Sequence, residues 1–340
     1  MLVVRHQSSV MSRRHLLLAI LLLFIAGLRA TAAERDGRWA ILISGASGDP
    51  ELQQAYLKEM VDLYSVLTDS LGFPRSQISV LFEDPSKNPG IIQRKSTRDE
   101  LQLLCRDFAA RVQKSDLIFV FIEGHGDYDG KVYKLNLVGP DPTAEDLAAM
   151  LYSIPAQRFI IMNATNCSGG SIPALSREGT VIVTATKSGS EKNQTHAAQF
   201  FIDAFKNNAA DSDKNGRVSL MEAFSYTKKK VEEYYQGGDN MQTEHTVLDD
   251  NGDGKAQNQP LPENGEGLIA KTTFLDAGVP ILNRAGLTPE QQKLAAEAQS
   301  IETQIETLKY AKAGMPESDY EKKLEELLVK LAQINAKLPK

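Results

Sequence analysis

Short apolar runs recur through the first two thirds of the chain, separated by segments of helical periodicity. Trp39–Ser44, Ile78–Phe82, Asp116–Ile122, Phe159–Met162 and Thr180–Thr186 are nearly continuous in apolar and β-branched residues. They are too short for helices and suit strands buried on both faces. Between them, Glu51–Leu71 has an amphipathic helical pattern that Gly72 and Pro74 end. A second helix follows Thr97 as N-cap and sets Leu101, Leu104, Cys105 and Phe108 on one face. Thr143, with Asp146 three residues on, approximates a capping box and starts a helix running to about Tyr152. Ala197–Asn208 reads as another helix. Lys87–Arg94 is polar and contains glycine and proline, so it reads as a loop; Lys131–Val138 alternates like a short hairpin arm, and Leu268–Phe274 like an edge strand. Strands alternating with helices predict an α/β fold, a mostly parallel sheet sandwiched by helices.

The C-terminal segment follows a different rule. Thr288 and Pro289 give a helix start. Leu294, Ala298, Ile301, Ile305 and Leu308 then recur at four-three spacing. Ala313-Gly314-Met315-Pro316 breaks the run, and Tyr320, Leu324, Leu327, Leu331, Ile334 and Leu338 repeat it. Residues 287–340 therefore read as two heptad helices in an antiparallel hairpin. Their apolar seams need a partner, which is each other, the main domain or a second chain, so self-association through this hairpin is one expected use.

At the other end, Arg13-Arg14 precede the apolar run Leu16–Ala26, and Ala30-Thr31-Ala32 has a small-x-small cleavage pattern. The run is too short to span a bilayer. Residues 1–33 read as a signal peptide of an exported protein, periplasmic or secreted, without a membrane span once it is cleaved; an uncleaved anchor is the alternative. Ser12-Arg13-Arg14 hints at twin-arginine export but does not separate it from the general route. Charged residues make up 24% of the chain and the net charge is −6, which gives no footing for nucleic-acid binding. Only two cysteines occur, Cys105 and Cys167, too few for a disulfide framework. Cys105 falls on the apolar face of a helix, as packing, and Cys167 is expected to stay free.

Cys167 carries the candidate chemistry. It stands just past the Phe159–Met162 strand, in the small polar loop Asn166-Cys167-Ser168-Gly169-Gly170. Open α/β sheets bind ligands at such strand ends. The strand Asp116–Ile122 ends in Glu123-Gly124-His125-Gly126-Asp127, which offers an imidazole between two glycines. A histidine there suits a general base, because its ordinary pKa lies near neutrality. Gly45-Ala46-Ser47-Gly48 lacks the Lys-Ser/Thr ending of a phosphate loop.

Gly-His-Gly, followed about forty residues on by a strand and x-Cys-x-Gly-Gly, resembles the caspase-like cysteine peptidase superfamily, and within it most the legumain-like peptidases. Arg38–Gly48 and Val181–Thr186 are similar to that family's first strand and to the strand after its catalytic loop, so the resemblance spans residues 37–205. It implies a catalytic domain over 37–208 with a His125–Cys167 dyad. Cys167 would attack a peptide carbonyl to give an acyl-enzyme, and the Gly126 and Cys167 N–H groups would hold the oxyanion. Peptides or proteins would be the substrates. The family's acidic residue two positions before the nucleophile is Thr165 here, so no strong preference for Lys or Arg is expected. A catalytically silent scaffold of this fold and an exported calcium-dependent assembly module are the competing readings.

Residues 209–280 add an acidic extension. Asp211-Ser-Asp-Lys-Asn-Gly-Arg-Val-Ser-Leu-Met-Glu222 matches the calcium loop of an EF-hand. Asp211, Asp213 and Asn215 would supply side-chain oxygens, Arg217 its carbonyl, Ser219 a hydroxyl or water contact, and Glu222 a bidentate carboxylate, with Gly216 making the turn. Asp249, Asn251 and Asp253, followed by Gly254, open a second such loop, but Pro260 stands where the closing acid belongs. That stretch reads equally as an irregular calcium loop or as a plain acidic turn.

Overall fold

The computed structural model describes residues 37–238, 241–276, 288–312 and 315–338. The expected signal segment and the centre of the C-terminal turn, residues 313 and 314, lie outside the described residues.

Seven strands form one sheet in the order β3-β2-β1-β4-β7-β8-β9. They are β1 (Arg38–Ser44), β2 (Ile78–Phe82), β3 (Arg94–Lys95), β4 (Leu117–Glu123), β7 (Arg158–Asn163), β8 (Thr180–Thr184) and β9 (Val247–Asp249). All neighbours pair parallel except β9, which runs antiparallel to β8 at the edge. A small hairpin, β5 (Gly126–Tyr128) with β6 (Tyr133–Leu135), stands apart.

Because side chains alternate across a strand, the sheet carries two cores. Ala40 and Leu42 of β1 face the first, with α1 (Pro50–Ser65), α5 (Ala197–Phe205) and α6 (Leu220–Gly237) packed over them. Trp39, Ile41 and Ile43 face the second, covered by α2 (Arg98–Ala109), α3 (Ala144–Leu151) and α4 (Ile172–Leu175). Double-sided burial is why the central strands read as unbroken apolar runs. Thr97 caps α2, and Thr143 and Asp146 form a full capping box on α3, both as the sequence predicts.

Four expectations change. The helix expected over Ala197–Asn208 is α-helical only to Phe205, and Asn207 and Asn208 are left-handed. The helix predicted to Leu71 is α-helical to Ser65 and ends in a π-turn, Val66–Ser70, that positive-φ Gly72 follows. The hairpin begins at Gly126, earlier than the Lys131–Val138 arm suggests. Leu268–Phe274 is no edge strand: Leu268–Thr272 is helix α7, and Phe274 makes a single bridge to Ser219. The Asp250 carboxylate decides this by accepting the Gly267 N–H at 2.8 Å and the Ala270 N–H at 2.7 Å, which caps a helical turn there.

Helices α8 (Pro289–Tyr310) and α9 (Glu317–Asn335) share a separate apolar cluster of Ala298, Ile301, Ile305 and Ile334, with Leu294, Leu324, Leu327, Leu331 and Leu338 against it. Among the described residues, no helix is long and apolar enough to cross a membrane.

Candidate functional site

Strands β4 and β7 are parallel neighbours in register, Ile122 opposite Asn163, so both end at one rim of the sheet. His125 lies two residues past β4 and Cys167 four past β7. Their loops are laced together: the Gly126 N–H donates to Asn166 Oδ1 at 2.7 Å, and the Ala164 N–H to the Ile122 carbonyl at 2.7 Å. The glycine is needed for this approach, since a Cβ on Gly126 would stand 2.5 Å from the Tyr133 ring and 2.7 Å from the Asn166 carbonyl oxygen.

The two side chains point to different surroundings. Cys167 is buried and belongs to the core beneath α3 and α4. Its φ is 59°, left-handed backbone that a residue with a Cβ adopts at a cost of about 1–2 kcal/mol. Its N–H donates to the Glu191 carbonyl at 2.8 Å, and its carbonyl accepts from Gly170 at 2.8 Å. Burial raises the thiol pKa; Lys192 pulls it back and Asp127 pushes it further up.

His125 is half-buried, with Nε2 3.3 Å from the Ser47 carbonyl and its ring edge-on to Tyr56 at 6.2 Å. A carbonyl only accepts, so Nε2 carries the proton in this contact and Nδ1 is the basic nitrogen. No hydrogen bond joins the His125 ring to the Cys167 thiol in this conformation. The two N–H groups expected to hold an oxyanion, those of Gly126 and Cys167, are both engaged, by Asn166 and Glu191. Thr165 lines no specificity pocket either. It is fully buried, and its hydroxyl is spent on Tyr133 at 2.7 Å and Asn163 at 2.8 Å. Cys105 sits in the core of the α2 face, its thiol pushed up to about 12 by burial, which fits a packing role.

Sequence reasoning missed two neighbours of this rim. Glu123, the last residue of β4, is buried; burial and then a shared hydrogen bond and repulsion with Glu59 hold its carboxyl well above the ordinary range. A cavity of about 10 Å³, bounded by Tyr56, Glu123, His125, Asn166 and Thr195 among others, lies beside it. A carboxylate ending an otherwise apolar strand was the available signal. The other is the segment 187–192, which closes over the cysteine loop. Besides the Glu191 carbonyl, the Lys192 carbonyl accepts from the Asn166 side-chain amide at 2.9 Å, and Lys192 Nζ donates to the Tyr128 carbonyl at 3.0 Å. Gly169 must lie against this segment, because a Cβ there would meet the Ser188 nitrogen at 2.3 Å.

The acidic loops form two further clusters. Asp211, Asp213 and Glu222 offer carboxylate oxygens within 4.8 Å of one another, and so do Asp249, Asp253 and Glu266. In the first loop, Asp211 accepts the Gly216 N–H at 2.9 Å, Asp213 the Asn215 N–H at 3.0 Å and Asn215 the Arg217 N–H at 2.9 Å. Glu222 completes a capping box with Ser219 at the start of α6. Partial burial raises the Glu222 pKa, but bonds from Ser219 and Ser212 outweigh that and hold it low. The Arg217 side chain is buried, paired with Asp276 and stacked 3.7 Å from the Phe274 ring centroid. In the second loop Pro260 contributes no carboxylate, and Glu266, from beyond the expected window, is the acid that stands with Asp249 and Asp253. The donor sets are hard oxygens, which fits a calcium-like cation better than zinc or copper.

Fold and rim together define an α/β protein with a mostly parallel seven-stranded sheet, helices on both faces and its candidate chemistry in the loops after β4 and β7. No family model matches the chain, and no curated protein does. Among solved structures it is similar to a Geobacter sulfurreducens protein determined as a structural-genomics target, with a TM-score of 0.42 and 10% identity over 68% of this chain and 97% of that one. A likeness of that size says nothing of chemistry.

Proposed function

We propose that the chain is an exported cysteine endopeptidase of the caspase-like type, nearest to the legumain-like peptidases. In this reading the acidic extension holds calcium in an EF-hand-type loop at Asp211–Glu222, and the C-terminal helices form an antiparallel hairpin. The observation that carries the reading is the adjacency of β4 and β7, whose laced loops bear His125 and Cys167 at one rim.

The described conformation corresponds to a resting state. Turnover requires the 187–192 segment to release the Cys167 amide and the His125 ring to leave the Ser47 carbonyl. Cys167 Sγ then loses its proton to His125 Nδ1 and bonds the scissile carbonyl carbon. His125 returns the proton to the leaving amine as the C–N bond breaks. Water, deprotonated by the same nitrogen, attacks the thioester, releasing the acid and restoring the thiol. The Gly126 and Cys167 N–H groups would exchange their present acceptors for the oxyanion. Calcium there would brace the junction of α5 and α6 and supply no step of the chemistry.

Cleavage of a fluorogenic peptide library by the purified full chain tests this, beside Cys167→Ala and Cys105→Ala. The reading expects cleavage that Cys167→Ala abolishes and Cys105→Ala spares, without strict preference for Arg or Lys. Equal activity in Cys167→Ala would sink it.

One set of observations favours a second reading, a catalytically silent scaffold that binds peptides at the same rim. The thiol is buried with a raised pKa, and both oxyanion donors are engaged. A substrate-like peptide electrophile distinguishes the two, since the scaffold leaves Cys167 unlabelled while the peptidase does not.

A further inference from the structure

The acidic stretch after β9 repeats the first loop position by position over its opening half. Asp211 and Asp249 stand first, and each accepts the N–H of the glycine at position six, Gly216 or Gly254, at 2.9 Å. Asp213 and Asn251 stand third and accept the N–H of position five at 3.0 and 2.8 Å. Asn215 and Asp253 stand fifth and accept that of position seven at 2.9 and 2.8 Å. Position four is left-handed in both, Lys214 at φ 60° and Gly252 at φ 79°.

Such turns are common in acidic loops. What sets the second apart is Glu266. It is only 1% exposed, and its Oε1 has no hydrogen-bond partner among the described residues, while Oε2 accepts the Asp250 N–H at 2.8 Å. An unpaired carboxylate oxygen buried among other carboxylates is costly unless a proton or a counter-charge neutralises it. No Lys, Arg or His among the described residues forms an ion pair with Asp249, Asp250, Asp253 or Glu266. The buried oxygen belongs to the residue whose carboxylate closes on Asp249 and Asp253 within 4.8 Å.

We propose that Asp249–Glu266 is a second divalent-cation site, of calcium's size and hardness, in which Glu266 takes the place of the acid missing at Pro260. Asp249 and Asp253 provide further carboxylates and Asn251 an amide oxygen. A cation there ties the edge strand β9 to the turn before α7. It also reaches the cysteine loop's exit, because Ser176, just past α4, donates to Asp249 at 2.8 Å and accepts from the Gly254 N–H at 2.9 Å. The site stands apart from the peptidase reading, and no activity enters its test.

Calcium titration of the purified full chain by calorimetry is the experiment, in a Glu222→Gln background that silences the first loop while keeping its capping box. One equivalent is expected to remain. Adding Glu266→Gln weakens that binding by more than about tenfold, and Asp253→Asn, at an exposed position that spares the core, weakens it too. In chelator, Glu266→Gln should melt at or above the temperature of its parent, and the calcium-induced rise in melting temperature should disappear. Loss of all calcium binding in Glu222→Gln alone, or binding that survives Glu266→Gln unchanged, overturns the proposal. So does a Glu266→Gln melting temperature that drops equally with and without calcium, which would make Glu266 a structural carboxylate.

Discussion

The loop Asp211–Glu222 and the loop Asp249–Glu266 share a backbone yet are anchored in opposite ways. The first projects from the ends of two helices: Ser212, Asp213, Lys214 and Asn215 are exposed, and its closing acid doubles as the cap of α6. The second lies on the sheet edge, with Asp249, Asp250 and Glu266 all buried. The same chain of side-chain-to-backbone bonds can therefore be built on a surface, where water shares the charge, or against a core, where a proton or another ion must. A local motif sets the turn, and its surroundings set what the carboxylates cost.

The largest expected difference is at position four. A Cβ on Gly252 would lie 2.6 Å from the Arg177 carbonyl carbon and 2.7 Å from the Glu178 nitrogen, and its φ is left-handed as well. Backbone atoms cannot step aside as a flexible side chain can. Gly252→Ala should therefore cost about 3 kcal/mol, strain and overpacking together, measured by urea denaturation. A cost under about 1 kcal/mol would mean that the loop does not pack on that segment.

Acidity should separate the loops next. Burial, then the neighbouring Asp250, raises Glu266 to about 8 in the calcium-free protein. Its folded pKa is above the unfolded value, so its contribution is full below about pH 4.5 and is lost as pH rises through about 8. Glu222 is held low, so its contribution is present above the unfolded value and is lost as pH falls through the folded one. In chelator, Glu266→Gln should flatten the alkaline side of the stability profile and Glu222→Gln the acid side. A profile that responds to neither change would show that these carboxylates do not differ as their surroundings require.

The capping box gives a smaller effect. Glu222→Ala removes the acceptor for the Ser219 and Ser212 N–H groups and should cost about 1–2 kcal/mol, with chelator as well as with calcium. Glu266→Gln keeps an oxygen that can accept the Asp250 N–H and caps no helix, so it carries no such calcium-independent loss. Equal losses at both positions would erase the distinction between the two loops.

How far the sequence could be read follows the same division between local and distant causes. The central strands, the Thr97 cap and the Thr143–Asp146 box were legible because apolar runs and caps act over a few residues. The clustering of Asp211, Asp213 and Glu222 was legible because all three fall in one short window. Glu266 was not, because its place depends on Asp250 capping α7 and so folding the chain back. The helix at Leu268–Thr272 was missed for the same reason. At the rim, the positions of His125 and Cys167 followed from two strand ends. Their surroundings depend on residues 187–192 crossing over the cysteine loop, which no periodicity marks.

Position four of the first loop gives the smallest effect and the sharpest test of the shared backbone. Lys214 holds φ 60° with a Cβ, where the second loop has glycine. The left-handed conformation costs a lysine about 1–2 kcal/mol, whereas glycine avoids that and loses part of the gain to a floppier unfolded chain. Lys214 is exposed, so nothing is lost in packing. Lys214→Gly should then stabilise the protein by up to about 1 kcal/mol, read as a shift of the urea midpoint at constant slope. Destabilisation instead would mean that the first loop does not hold the left-handed turn in solution, and the position-by-position equivalence of the two loops would fail at the residue where their sequences differ most.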